Sequence, residues 1–352
     1  MVPVFTKKLL RWNKKGNTRE MPWKFEEDPY KIWLSEIILQ QTRVDQGWAY
    51  YEKFINAFPN IGVLASAPEK KVYKLWEGLG YYARCKNLIE TARKISNAHG
   101  GRFPSSYEEI VQLKGIGPYT AAAIASFAFN LPHAVVDGNV QRVLARYFGI
   151  STAVDTTSGK RIYHELASGL LDKKRPGIYN QAIMDFGAVI CKPRNPVCHL
   201  CPQQPDCVAF KNGWVDSLPI KEKRIKRITR WLYYFVIQNK DKNFYIRQRK
   251  EKDIWENLYE FVLWETDHSM PLEEISNSGF IHELFRKQPF KITSISKIFK
   301  QQLTHQTIQG RFIAVQINKR LAQTRDFVLT NEEEMKAHPF PKFITEYLRN
   351  PL

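Results

Sequence analysis

The sequence predicts a multidomain protein: an all-α region to about residue 214, then an α+β domain from about residue 230. Three observations carry this. Apolar residues recur at helical spacing up to about residue 190, and no convincing strand pattern occurs before about 230. Four of the five cysteines crowd into residues 191–207. From Val215 the composition changes to a basic run, followed by alternating strand-like segments. A length of 352 residues suggests two or three domains, and a hydrophobic content of 43% is enough for separate cores.

The formal net charge of +18 argues for a polyanionic partner, most simply nucleic acid. A membrane surface is the competing reading, but no uninterrupted apolar stretch is long enough to span a bilayer. Met1 to Trp12 carries Lys7, Lys8 and Arg11 with no signal-peptide core after them. The expectation is a soluble, cytoplasmic, nucleoid-associated protein of a prokaryote, or an organellar one whose presequence is missing.

Taken in order, residues 5–13 predict a short basic helix, and Met21-Pro22-Trp23 ends that region. Lys31 to Gln41 is dominated by Ile32, Trp33, Leu34, Ile37, Ile38 and Leu39. It reads as a buried helix with Asp28 as N-cap and Pro29 at its first position. Glu36 interrupts the apolar run. Its neighbours at i−4 and i+3 are Ile32 and Leu39, so a carboxyl there is partly desolvated and favours the protonated acid. The plainer alternative is that Glu36 snorkels, or pairs with Lys31 or Arg43. Buried glutamates are uncommon without a partner, which favours a functional role.

Further helices are expected at 44–57, 68–79, 84–98 and 106–113. Gly78-Leu79-Gly80-Tyr81-Tyr82 is too glycine-rich for a helix interior. It predicts a turn presenting Leu79 and Tyr81 at a surface, where such side chains can wedge into a base stack, although more often they simply pack. Gly115 and Gly117 bracket Ile116 and precede a helix start at Thr120. Glycines there let the backbone turn tightly, and the helix start offers free amides and a positive dipole end to a phosphate. Twenty residues after Gly117 stands a lone carboxylate, Asp137, ahead of Gly138 and Asn139. The plainer reading is a helix–turn–helix connection with Asp137 as an N-cap. Helices resume at 120–129, 138–148, 156–170 and 178–190.

The spacing Cys191-x6-Cys198-x2-Cys201-x5-Cys207 points to one metal site in a reducing compartment rather than a disulfide framework. Four thiolates this close can converge on one centre, and zinc suits four cysteines that include a Cys-x2-Cys step as well. Lys192 and Arg194, on the longest inter-cysteine loop, could meet DNA phosphates. Lys221 to Arg230 then holds six Lys/Arg and one Glu, as a linker or solvated arm would. Trp231 to Gln238 and Asn243 to Arg249 predict a hairpin around 239–242. Ile254 to Trp264, Ile292 to Phe299, Thr307 to Ile317 and a final helix near 331–348 complete the α+β domain.

These stretches together resemble the adenine DNA glycosylases of the MutY type. The resemblance is carried by Ser35-Glu36-Ile37-Ile38-Leu39-Gln40-Gln41-Thr42, Gly78 to Tyr82, Gly115-Ile116-Gly117-Pro118-Tyr119-Thr120, Val136-Asp137-Gly138-Asn139-Val140 and the four-cysteine loop. It implies a helix-hairpin-helix glycosylase with a [4Fe-4S] cluster, with a six-helix module over about 25–132 and an iron–sulfur module from the N-terminal helix and about 133–214. A basic linker, 215–229, and a Nudix-like lesion-recognition domain, 230–352, follow. The implied substrate is double-stranded DNA containing adenine opposite 8-oxoguanine or guanine, and the implied state is a monomer away from membranes. Glu36 matches the acid that protonates the leaving adenine, and Asp137 matches the aspartate that stabilises or attacks the sugar cation. Tyr119 and Asn139 match assisting residues. Trp23, Lys24 and Gln181 fall at the adenine pocket. Gln41, Thr42, Leu79 and Tyr81 fall around 8-oxoguanine and the intercalation site. Gly115 and Gly117 form the DNA-gripping hairpin, where the resemblance also allows a monovalent or divalent cation. Cys191, Cys198, Cys201 and Cys207 match the cluster ligands. Leu303-Thr304-His305 stands where the family has a Phe-Ser-His loop, so Thr304 keeps the hydroxyl and His305 the imidazole while the aromatic ring is lost. Lys24 replaces a common arginine, and Gln141 replaces a frequent lysine that base removal does not need.

Expelling adenine leaves an oxocarbenium-like sugar, so the base must be protonated and the cation countered. One neutral carboxylic acid and one carboxylate meet that need, and the base must first leave the stack. Rival readings are weaker. An endonuclease III-like pyrimidine glycosylase with lyase activity would have a lysine where Tyr119 stands and would lack Glu36. A non-catalytic iron–sulfur DNA-binding protein needs neither Glu36 nor Asp137. A nucleotide pyrophosphohydrolase needs an Arg-Glu-x-x-Glu-Glu helix, which residues 278–288 do not supply.

Overall fold

The computed structural model describes residues 3–222, 227–286, 288–321 and 326–349. The chain forms two compact units, Met1–Ser66 with Lys86–Lys223, and Ala67–Cys85 with Arg224–Leu352. The first part of the chain is helical: α1 (Val4–Gly16), α2 (Pro29–Leu39), α3 (Val44–Ala57), α4 (Ile61–Ser66), α5 (Glu69–Trp76), α6 (Tyr82–Ala98), α7 (Tyr107–Val111), α8 (Pro118–Ala128), α9 (Gly138–Phe148), α10 (Thr157–Leu170), α11 (Pro176–Val189) and α12 (Val208–Lys211).

In the first unit, local chemistry sets the helix starts. Asp28 accepts a hydrogen bond from Tyr30 N at 2.9 Å and Pro29 opens α2, since proline needs no amide partner there. Asp137 caps α9 by accepting from Val140 N at 2.8 Å. Between α7 and α8, Gly115 adopts a left-handed φ of 77°, and a Cβ there would lie 2.7 Å from Asn87 Cβ. Only glycine meets both conditions. The core of α1, α9, α10 and α11 is apolar, with Phe5, Leu9, Val143, Leu144, Tyr163, Ile183 and Phe186 all buried.

Two helices that carry polar site residues are forced close together. Gly187 on α11 faces Asn139 on α9, and a Cβ at residue 187 would meet Asn139 Cβ at 2.7 Å and its carbonyl oxygen at 3.0 Å.

Residues 215–222, read from composition as the start of a linker, are fastened to the helical unit. Val154 N donates to Ile220 O at 3.0 Å, Arg146 Nε to Leu218 O at 3.1 Å, and Glu222 N to Asp155 Oδ1 at 3.0 Å. Residues 223–226 of that basic run lie outside the described residues. The run's net charge hid these backbone contacts.

The second unit is built on a mixed sheet of β1 (Ile228–Asn239), β2 (Phe244–Gln248), β3 (Tyr259–Glu260), β4 (Val262–Thr266), β5 (Phe290–Ile295), β6 (Phe299–Gln302), β7 (Gln306–Ile317) and β8 (Val328–Thr330). Helices α13 (Leu272–Ser276), α14 (Gly279–Phe285), α15 (Glu332–Met335) and α16 (Lys342–Arg349) accompany it. β1 and β7 run parallel from Ile228 opposite Gln306 to Asn239 opposite Ile317. β2 and β4 pair antiparallel with β1, and β5 and β6 with β7. The single final helix expected near 331–348 is two, because Pro339 and Pro341 lack the amides a continuous helix would need. Residues 67–85 join this unit through Tyr73 OH, which accepts from Asn257 Nδ2 at 2.9 Å, and Glu77 Oε1, which accepts from Phe340 N at 2.8 Å. Lys74 Nζ also donates to His338 O at 3.0 Å.

Gly187→Ala is expected to destabilise the protein by about 1–3 kcal/mol, the usual cost of forcing atoms into a packed interface. Thermal unfolding checks this, and an unchanged midpoint would contradict so tight an α9–α11 approach.

Candidate active site

A cavity of about 950 Å³ opens in the first unit and is lined by Glu36, Tyr119, Asp137, Asn139 and Gln181 among others. That volume is at the upper end of the roughly 300–1,000 Å³ typical of ligand sites, with room for a nucleoside and water.

α2 brings Glu36 to this cavity from within an apolar helix. Ile32, Trp33, Leu34, Ile37 and Ile38 around it are buried, and Glu36 itself is only 8% exposed. Burial pushes its pKa up to about 7; a hydrogen bond from Tyr119 pulls it down, and the nearby Asp137 raises it again. The Tyr119 hydroxyl also approaches Met184 Sδ at 3.6 Å. Of the cations weighed as partners from sequence, Lys31 turns elsewhere, its Nζ pairing with Glu26 Oε2 at 3.2 Å.

Asp137 both caps α9 and lines the cavity, so the plainer reading holds without excluding the functional one. Its side chain accepts from Val140 N at 2.8 Å and from Asn139 Nδ2 at 2.7 Å. Burial raises its pKa, although it keeps partial solvent access, and those two donors oppose the rise. The two carboxyls therefore sit in different settings: Glu36 among apolar groups, Asp137 among donors that favour its ionised form.

Sequence reasoning missed the groups behind this pair. Arg142, buried on α9, donates to Asn139 Oδ1 at 2.9 Å, Gly187 O at 2.7 Å and Cys191 O at 2.7 Å. It ties the residue that holds Asp137 to the start of the cysteine loop. Asp185 on α11 is fully buried and accepts from Arg19 Nη1 at 2.9 Å, Asn17 Nδ2 at 2.8 Å and Gln181 Nε2 at 2.8 Å, with Lys24 Nζ at 3.2 Å. Two cations and two amides compensate the buried charge. This cluster fixes Lys24 and Gln181 at the cavity wall, and Trp23, only 9% exposed, lines it too. A lone aspartate on the apolar helix 176–189 was the available signal, the same one that marked Glu36.

Gln41, in a left-handed conformation with φ 56°, and Thr42 also line the cavity. At the hairpin, Gly115 and Gly117 are exposed, and Gly117 precedes the free amides of α8. The glycine-rich turn needs a correction. Tyr81 is exposed, but Leu79 is only 5% exposed rather than presented at a surface, because its side chain is apolar and packs. Tyr81 OH lies 2.5 Å from Thr304 Oγ1, both in the second unit. Thr304 and exposed His305 stand in the β6–β7 turn, which Leu303 N closes on Gln306 O at 2.8 Å.

All four loop cysteines are free and partly buried. Burial raises the pKa of Cys198, Cys201 and Cys207, Cys201 to about 12, and the neighbouring thiols add to the rise. The thiols thus sit near one another. Among the described residues, however, no three His, Cys, Asp or Glu side chains are grouped to hold one metal ion. An iron–sulfur cluster asks for a wider set than a single zinc, since each sulfur binds a different iron. Four free thiols with Arg146 Nη1 3.5 Å from Cys191 Sγ fit an anionic cluster. Arg194 is exposed and Lys192 half-buried on this loop.

The sequence matches the family described as HhH-GPD superfamily base excision DNA repair protein over residues 34–169, and the NUDIX domain over residues 233–350. Fold and family together define a base-excision protein of the helix-hairpin-helix class with a Nudix-like C-terminal domain. An adenine DNA glycosylase of Buchnera aphidicola subsp. Baizongia pistaciae (strain Bp) is 34% identical over 318 residues, 90% of this chain and 87% of that protein. One from Rattus norvegicus is 41% identical over 232 residues, 62% of this chain and 44% of that protein. The solved structure of a thermostable thymine-DNA glycosylase is 32% identical, covers 59% of this chain and 96% of that one, and superposes with a TM-score of 0.55. The chain belongs to the adenine DNA glycosylases, hydrolases that act on N-glycosyl bonds. No described helix is long and apolar enough to cross a membrane.

Proposed function

We propose that this adenine DNA glycosylase acts on adenine paired with 8-oxoguanine or guanine in duplex DNA. It works by hydrolysis without cutting the strand, as a monomer in a prokaryotic cytoplasm, at the nucleoid. The observation that carries this reading is Glu36, buried beside Asp137 with its pKa near 7. At neutral pH a large share of Glu36 is protonated. It gives that proton to the adenine as the bond from base to sugar breaks and its electron pair leaves with the base. The sugar becomes oxocarbenium-like, and the Asp137 carboxylate stabilises or attacks it. Water then adds to the sugar carbon, and its proton returns to the ionised Glu36. Tyr119 orients Glu36 through its hydrogen bond, and Asn139 orients Asp137. No lysine stands at the hairpin position of Tyr119, which favours hydrolysis over lyase chemistry.

The adenine is extruded into the cavity, where Trp23, Lys24 and Gln181 surround it. Gly115 and Gly117 hold the phosphate backbone, and Lys192 and Arg194 add phosphate contacts. Cys191, Cys198, Cys201 and Cys207 would hold a [4Fe-4S] cluster, which when bound rigidly braces the loop that Arg142 and Arg146 grip. Gln41, Thr42, Tyr81, Thr304 and His305 read the opposing base. Tyr81 and Thr304 hydrogen-bond each other, and each hydroxyl keeps a further site for a hydrogen bond to a base.

Two measurements test this. Glu36→Gln keeps the shape and loses the transferable proton. Its affinity for a duplex with adenine opposite 8-oxoguanine should stay within a few-fold of wild type, while single-turnover adenine release falls by roughly 10²–10⁴. Near wild-type release would sink the assignment, and strand breaks without alkali would favour a lyase. For the recognition residues, replacing Thr304 and His305 together by Ala removes two hydrogen bonds worth about 1 kcal/mol each. Preference for 8-oxoguanine over guanine should shrink roughly thirty-fold with the domain still folded, and an unchanged preference removes their role.

A further inference from the structure

Phe25 is the most exposed of the large apolar residues described, at 83%, yet it lines the catalytic cavity. Its backbone is left-handed, with φ 67°, a conformation that a bulky side chain rarely adopts. The tight turn that places it is closed by Lys24 N donating to Met21 O at 3.0 Å and Glu26 N donating to Trp23 O at 3.2 Å. Glycine would satisfy this turn without strain, and an exposed ring adds nothing to a core. Phe25 is not loose at the surface, however. Lys24 Nζ lies 5.6 Å from the centre of its ring, and that ammonium is pinned by Asp185 Oδ2 at 3.2 Å and Arg19 O at 2.6 Å. A fixed cation against the ring orients the ring at the cavity rim. Among the described cavity residues, the other large apolar side chain left exposed is Ile178.

We propose that Phe25 is a stacking platform for the purine extruded into this cavity. The inference rests on the cavity being the site of excision, as proposed above. A flipped base loses two stacking neighbours in the duplex, and a ring at the pocket mouth replaces one of them. The gain appears only once the base is out. Phe25 therefore raises the extruded fraction, and with it the observed rate, while adding little to binding of DNA that has no base at that position.

The test uses the full-length holoenzyme and a duplex with adenine opposite 8-oxoguanine. Phe25→Ala is expected to lower single-turnover adenine release roughly ten- to a hundredfold, the scale of one base–aromatic stack. Phe25→Gly should show the same loss with thermal stability kept or raised, because glycine relieves the left-handed backbone. Phe25→Trp should recover most of the lost rate. Affinity for the abasic product duplex should be unchanged in all three. Wild-type release by both Phe25→Ala and Phe25→Gly, while Glu36→Gln remains inactive, would overturn the stacking role and leave the site assignment standing. So would a loss that Phe25→Trp does not recover, or an equal loss of abasic-duplex affinity. Full activity of Glu36→Gln in the same assay would instead remove the site assignment on which the proposal rests.

Discussion

Glu36 sits in the apolar body of α2, and taking its carboxyl out of water favours the neutral form strongly enough to bring its pKa to about 7. The arrangement of the helical unit around it follows from that constraint. A neutral acid there needs a partner that does not strip its proton, and the Tyr119 phenol, whose own pKa burial raises further, is such a partner. It also needs a second carboxyl close enough to matter but differently solvated. Asp137 meets this by standing at a helix start, where the Val140 amide and the Asn139 side chain stabilise negative charge. α2 and α8 carry the acid and its phenol partner; α9 and α11 carry the carboxylate and its support.

That support reaches well beyond the pair. Arg142 spends its donors on Asn139, Gly187 and Cys191, so one buried guanidinium joins the carboxylate, the closest helix contact and the cysteine loop. Arg146, one helical turn on, donates to Lys192 O at 2.7 Å. Whatever braces the loop is therefore coupled mechanically to the orientation of Asp137. Asp185 also gathers Arg19, Lys24 and Gln181 of the cavity lining into a fixed polar surface. The cavity lining thus combines two carboxyls in unlike settings with a fixed set of charged groups.

Much of this was legible in the sequence, for identifiable reasons. Glu36 could be picked out because its helical neighbours are apolar, and helical adjacency depends only on local spacing. The Asp28 cap, the Gly115 turn and the cysteine cluster are local in the same sense. What stayed hidden was long-range. Arg142 meets partners some fifty residues away, at Cys191, and nothing in its own neighbourhood marks it. Leu79 could be called a surface wedge only while its tertiary packing was unknown. The parallel pairing of β1 with β7 spans nearly eighty residues, beyond the reach of any hairpin signal. Residues 67–85 join the second unit through Tyr73, Lys74 and Glu77, each an ordinary helix-surface residue by pattern. Asp185 is the exception, since a carboxylate on an apolar helix is a local signal of the same kind as Glu36.

The central claim is that Glu36 is held protonated near neutral pH by its surroundings. Isotope-edited infrared difference spectroscopy of the protein, referenced to Glu36→Gln, observes that carboxyl directly. The raised pKa means that the acid band should persist above the ordinary glutamate range and vanish only as pH rises through about 7. A band already lost near the usual glutamate value of about 4.3 would contradict the account.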